Sequence, residues 1–246
     1  ALQRALDHAA LVSIMHANNE TGVLQPIAEI SAIAARGGAL VHTDAAQSIG
    51  KVRVDVRELG VDLLTIAGHK LYAPKGVGAL FVRRGVAVEP LVLGAPHERG
   101  RRPGTENVVG IAGLGAAAAL ARSDLDHERA RVSALRDRLI ERLRASIPAL
   151  IVHGDRAPRL PNTASVRFPR TSGPQLLAEA SAIAASTGSA CHAGQDSPSQ
   201  VITAMGISPA DALGTVRLSL GRGTTTADVD RAASCLVAAW RRIASA

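Results

Sequence analysis

Lys70 is one of only three lysines among 28 Lys plus Arg residues, and it lies just past the end of an apolar run in DLLTIAGHK. A chain that meets its charge with arginine yet places a lysine there points to amine chemistry, because lysine condenses with carbonyls and arginine does not. The segment ALVHTDAAQ delivers Asp44 and Gln47 at an equivalent strand-to-loop junction. An acid for a ring nitrogen and an amine for an aldehyde are what a pyridoxal phosphate site needs. On residue type and placement alone, a pair of ordinary loop charges stays equally open. His69 is either a solvated loop residue or a phosphate contact, and Lys75, in a Pro-Lys-Gly turn that favours exposure, is the rival amine.

Two further groups carry chemistry. Cys191 sits in ASTGSACHAG, a stretch too small and polar to pack as core, with His192 beside it to favour the thiolate. Cys235, in the helical pattern DVDRAASCLVAAW, reads as a small buried hydrophobe. These are the only two cysteines and lie 44 positions apart, which excludes a CxxC metal knuckle; no metal site is expected. Arg217, in TVRLSLGR, either faces water or offers a fork to a substrate carboxylate.

The elements that must hold these residues alternate. An apolar strand, LVSIMHA, precedes a helix over residues 26–36, with Pro26 in its first turn and Gly37-Gly38 ending it. Strands follow at 39–43, 62–67 and 77–83. Such alternation predicts α/β layering around a mainly parallel sheet, with ligands gathered at the carboxyl ends of strands, where Asp44 and Lys70 fall. A Gly-, Pro- and Arg-rich loop over 84–107 is long enough to be functional. Helices over 108–122 and 125–147 lead into a second unit with strands at 150–153, 163–168 and 215–220, helices at 174–184 and 198–205, and a last helix from about 225. Two domains are expected, a large one over 1–122 and a smaller α+β one over 123–246.

Bulk properties narrow the classes. With 47% hydrophobic and 2% aromatic residues, the core must be aliphatic. A net charge of +7 permits nucleic-acid binding, yet the arginines are scattered and stacking aromatics almost absent, so no direct nucleic-acid partner is expected. No apolar run reaches the length that crosses a bilayer, and the expectation is a cytoplasmic protein without membrane contact.

Six segments in order, HANNETGVLQPI, HTDAAQSIGK, GHKLYAPKGVGAL, HERGRRPGTEN, STGSACHAG and VRLSLGRGTT, resemble the cysteine desulfurases of the class V aminotransferase group. The resemblance runs from about residue 11 to the end. It implies a fold-type I, pyridoxal 5'-phosphate-dependent enzyme that converts L-cysteine to L-alanine and passes sulfur, as an enzyme persulfide, toward iron–sulfur cluster assembly or tRNA thiolation. By the resemblance Lys70 bonds the cofactor aldehyde, Asp44 partners the pyridinium nitrogen, Gln47 and Asn19 hold the cofactor's phenolic oxygen and the substrate, and His69 contacts phosphate. Thr105 resembles the threonine that reaches the phosphate of a neighbouring subunit, which implies a homodimer. Arg217 matches the carboxylate fork and Cys191 the persulfide cysteine. The long stretch from Cys191 to Pro198-Ser199 is similar to that of the branch passing sulfur to protein acceptors, such as an iron–sulfur scaffold or a tRNA-thiolation enzyme.

Three departures accompany it. Ala67 stands where relatives often have a phosphate-binding serine, Pro96 interrupts a glycine run, and the family's N-terminal phosphate loop and ring-stacking histidine have no counterpart in these 246 residues. An N-terminally truncated chain that binds the cofactor weakly by itself is therefore expected. The alternatives are another class V activity, selenocysteine lyase or transaminase, in which Cys191 is dispensable, and an inactive scaffold.

Overall fold

The computed structural model describes residues 6, 8–188 and 197–245, so Cys191 and His192 lie outside the described residues. Contacts divide the chain into two compact units. One comprises residues up to His16 with Gln25–Leu125; the other joins Ala17–Leu24 to the chain from Asp126 onward. A single boundary near residue 123 did not anticipate that exchange. It arises because the Ala17–Leu24 hairpin bonds to the later chain: Leu24 N–H donates to Pro158 O at 2.9 Å and Leu160 N–H to Gly22 O at 2.8 Å.

The first unit holds a four-stranded sheet of β1 (Leu11–Met15), β2 (Leu40–Asp44), β3 (Leu63–Ala67) and β4 (Gly78–Val82), in that spatial order. The first two pairings are parallel and the third antiparallel, giving the mainly parallel sheet and α/β class that the alternation predicts. Helix α1 (Ile27–Arg36) crosses between β1 and β2, and a single helical turn, α2 (Val56–Leu59), precedes β3. Because side chains alternate along a strand, Val12, Val41 and Leu64 share one face and bury against Ile27 and Ala34 of α1. Ser13, His42, Asp44 and Thr65 fall on the other face. Helix α3 (Val108–Ser123) closes the unit, its Asn107 side chain accepting from Gly110 N–H.

The second unit is α+β. Helix α4 (Leu125–Ser146) presents Leu135, Leu139 and Leu143 at four-residue spacing to an antiparallel sheet of β5 (Ile151–Val152), β6 (Thr163–Arg167) and β7 (Thr215–Ser219). Between the last two strands run α5 (Gly173–Glu179), α6 (Gln200–Ala204) and α7 (Pro209–Ala212), and α8 (Thr226–Ala244) follows β7. Thr225 and Asp228 form a capping box at the start of α8. Helix α5 stops at Glu179, short of the expected residue 184, because the chain beyond it becomes extended to pair Ser186 with Arg217. Cys235 is half-buried and packs against this core. Among the described residues no single helix is long and apolar enough to cross a membrane.

Two buried histidines make stability depend on pH. His16, in the first unit, pairs its Nδ1 with Ser48 Oγ at 2.9 Å, and His153, in the second, pairs its Nε2 with Thr215 Oγ1 at 3.1 Å. Burial holds both imidazoles below the usual 6.5, and the Arg167 charge adds to the effect on His153. The unfolded chain takes up these protons near 6.5, whereas the folded chain resists until lower pH. Their contribution is therefore complete above 6.5 and lost as pH falls through the folded values. The melting temperature is expected to change little near pH 7 and to fall from about 6.5 toward 5, with the fall reduced in His153→Gln. A level curve down to the carboxylate range would contradict this.

Candidate active site

Asp44 is the last residue of β2, in register with Met15 of β1 and Thr65 of β3, and its side chain is exposed on the polar face of the sheet. Its position is fixed by the backbone around it. His16 N–H donates to Asp44 O at 2.8 Å, Ala45 N–H to Thr65 O at 3.0 Å, and Ala46 N–H to the Asp44 carboxylate at 2.8 Å. Beside Asp44 on that face, His42 accepts or donates at both ring nitrogens, to Ser13 Oγ at 2.8 Å and Thr65 Oγ1 at 2.7 Å. Ser13, His42 and Thr65, on three neighbouring strands, thus form a hydrogen-bonded row beside Asp44.

Lys70 lies just past the end of β3, within a 3-10 turn over Gly68–Leu71 that also carries His69; both side chains are exposed. The turn is pinned at Gly68, whose N–H donates to Val77 O at 2.9 Å and whose carbonyl receives Ala73 N–H at 3.1 Å. Leu71 is buried under it, and Tyr72 ends it at φ 63°. A Cβ on Gly68 would lie 2.6 Å from Val77 O, which is backbone and cannot step aside. Gly68→Ala is therefore expected to displace the Lys70 turn, costing about 1–3 kcal/mol of stability and weakening cofactor retention more than an alanine at Gly115, which has open space around it, would hurt either. Urea unfolding and cofactor titration of the variant measure both; unchanged values would show that the turn is not held this way.

Gln47 is half-buried, and its carbonyl accepts from Lys51 Nζ at 2.7 Å. Sequence reasoning passed over Lys51. Desolvation, with the Lys70 charge acting in the same sense, lowers its pKa to about 8. The signal was in the sequence: Gln47 and Lys51 lie four positions apart across a turn, close enough for the amine to cap that carbonyl. Thr105 is exposed on the loop before α3, and its carbonyl accepts from Arg102 Nη1 at 3.2 Å, a local contact within the loop. Within the long 84–107 segment a kinked turn at His97–Gly100 places Glu98 and Arg99 at positive φ.

The remaining candidates belong to the second unit. Arg217, in β7, is half-buried and donates from Nη1 to Asn19 O at 2.9 Å. Burial lowers its pKa, and the Glu20 charge opposes that effect. Asn18 shapes this loop, its side-chain oxygen accepting from Glu20 N–H and Thr21 N–H, both at 2.9 Å. Glu20, another residue missed in the sequence, is buried with Ser199 Oγ donating to its Oε2 at 2.5 Å. Asp44, Gln47, His69 and Lys70 are thus gathered in the first unit, and Asn19 with Arg217 in the second. The donor set of the first unit suits a pyridine aldehyde: an exposed carboxylate at a strand end, an amine at the end of the adjacent strand, and an amide and an imidazole in the same two turns.

Comparison with known proteins finds relatives over nearly the whole chain. A cysteine desulfurase of Gluconacetobacter diazotrophicus is 51% identical over 234 residues, covering 94% of this chain and 58% of that protein. The cysteine desulfurase NifS of Azotobacter vinelandii is 48% identical over 227 residues, covering 92% of this chain and 56% of that one. The chain thus spans a little over half the length of these relatives. Among solved structures, a NifS-like protein of Rickettsia africae superposes with a TM-score of 0.88 at 31% identity, covering all of this chain and 66% of its own. SspA in complex with cysteine gives 0.72 at 33% identity, over 89% of this chain and 62% of that one. The family model described as aminotransferase class-V matches residues 1–232, and the chain accordingly belongs to the class V aminotransferases.

Proposed function

We propose that the protein acts as a pyridoxal 5'-phosphate-dependent cysteine desulfurase. The observation that carries this reading is the placement of Asp44 and Lys70 at the carboxyl ends of adjacent parallel strands, in a chain about half identical to proteins described as cysteine desulfurases. When bound, the cofactor supplies an electron sink for the substrate α-carbon. Asp44 would hold a proton on the ring nitrogen, His69 and Gln47 would orient the group, and Lys70 is the amine that would hold its aldehyde. The free Lys70 amine would serve as the base for the substrate α-proton. Arg217 and Asn19 receive the substrate carboxylate and fix its orientation. The Cys191 thiolate attacks the substrate sulfur: a sulfur–sulfur bond forms, the carbon–sulfur bond breaks, and its electron pair is protonated so that alanine leaves. The persulfide left on Cys191 then passes to a protein acceptor, and Thr105 of one protomer completes the phosphate site of a second in a homodimer.

Supplying L-cysteine and a reductant to the cofactor-loaded protein is expected to yield alanine and sulfide in equal amounts. A keto acid without sulfide would indicate a transaminase, and selenide release without sulfide release a selenocysteine lyase.

A further inference from the structure

Glu20 has a place in the second unit that the roles above leave unused. It is 8% exposed, and its backbone is set by Asn18, whose side-chain oxygen accepts Glu20 N–H at 2.9 Å. Glu20 Oε2 accepts the Ser199 hydroxyl at 2.5 Å, and the same hydroxyl accepts Ile202 N–H at 3.3 Å as the cap of α6. A Cβ on Gly188 would meet that same Oε2 at 3.6 Å, an ordinary contact, so Gly188 faces the carboxylate. Gly188 is itself tied down. Its N–H donates to Ser186 Oγ at 3.3 Å, and that hydroxyl returns a bond to Gly188 O at 2.9 Å. Ser186 bridges in turn to Arg217, whose N–H reaches Ser186 O at 2.6 Å and whose Nη1 donates at 2.9 Å to the carbonyl of Asn19, next to Glu20 in the chain. Gly188 and Ser199 flank the segment that carries Cys191, and one carboxylate oxygen faces the first and bonds the second.

We propose that Glu20 is a positioning residue for the Cys191 thiol: by bonding Ser199 and backing Gly188, it fixes the two points between which the Cys191 segment runs. The proposal rests on reading Cys191 as the residue that takes the substrate sulfur. The physical reason is reach. Cys191 lies three positions from Gly188 and eight from Ser199, so at about 3.6 Å per residue its Cα stays within about 11 Å of the nearer anchor. Attack of a thiolate on sulfur requires a close, aligned approach, and a misplacement of about 1 Å costs on the order of a hundredfold in rate. An anchor released at Ser199 therefore acts on sulfur transfer before it acts on substrate binding.

The test takes two readouts from cofactor-loaded protein given L-cysteine: the change in cofactor absorbance on substrate binding, and the rate at which about 32 Da appears on the Cys191 peptide. Glu20→Ala is expected to hold the half-saturating L-cysteine concentration of the absorbance change within about twofold of wild type while slowing sulfur arrival roughly ten- to hundredfold. Glu20→Gln, which keeps an acceptor for the Ser199 hydroxyl, is expected to recover the rate to within about threefold. Ser199→Ala removes the same bond from the other side and should slow transfer alike, with the double replacement no slower than the worse single one. A wild-type rate in Glu20→Ala and Ser199→Ala overturns the positioning role while leaving desulfuration standing. So does a Glu20→Gln as slow as Glu20→Ala, an additive double replacement, or loss of the absorbance change together with transfer, which is what a residue that merely supported the fold would give. Absence of the added mass in wild-type protein overturns the reading of Cys191 and the proposal with it.

Discussion

Replacing Lys70 with methionine is expected to abolish covalent cofactor attachment and to lower L-cysteine turnover by roughly 10⁴-fold or more, since in the proposed function one amine would serve both as the aldehyde's partner and as the base at the α-carbon. Methionine is close in length and apolar, and Lys70 is exposed, so the fold around the Gly68–Leu71 turn should persist. The rival amines make the result diagnostic. Lys51 has a pKa lowered to about 8, which leaves much of it unprotonated and nucleophilic in mildly alkaline solution. Its Nζ, however, is engaged by the Gln47 carbonyl. Lys75 is exposed in the loop before β4. Borohydride reduction of the loaded protein followed by peptide mapping is therefore expected to mark Lys70. A label on Lys51 or Lys75, or retained attachment in Lys70→Met, would reassign the cofactor lysine.

Cys191→Ser carries the second large effect. The cofactor absorbance should be unchanged, because the thiol acts after substrate has bonded, while sulfide release falls by roughly 10³-fold, because a serine hydroxyl is not ionised near neutral pH and is a poor nucleophile toward sulfur. Cys235 supplies the internal control. It is half-buried against the core of the second unit, so Cys235→Ala should leave sulfide release at the wild-type level. Full sulfide production by Cys191→Ser would favour a lyase or transaminase, in which no enzyme thiol takes part.

The parts of this arrangement that were legible in the sequence are those set by short-range pattern. Alternation in LVHTD places Val41 in the core and Asp44 on the open face, and the Gly37-Gly38 stop after the 26–36 helix pattern ended α1 within a residue of its expected place. The antiparallel direction of β4 was not legible, because a ten-residue connection through Gly68 and Gly76 serves either a tight return or a short crossover. Contacts across long separations were equally hidden. Glu20 and Ser199 lie 179 positions apart, and Asn19 and Arg217 lie 198 apart, so no local rule could bring them together. Helix α5 was overestimated for the same reason: helix propensity continues past Glu179, and a bridge to Arg217 overrides it. The candidate residues themselves were found through residue type and family resemblance; the buried contact of Glu20 with Ser199 required the structure.

The most direct measurement is the mass of the Cys191 peptide after the loaded protein has met L-cysteine without reductant. Sulfur transfer to the enzyme adds about 32 Da to that peptide, removable by dithiothreitol, and none after exposure to L-alanine. Alanine formation and sulfide release with Cys191 unmodified, or the added sulfur on Cys235, would contradict desulfuration through Cys191.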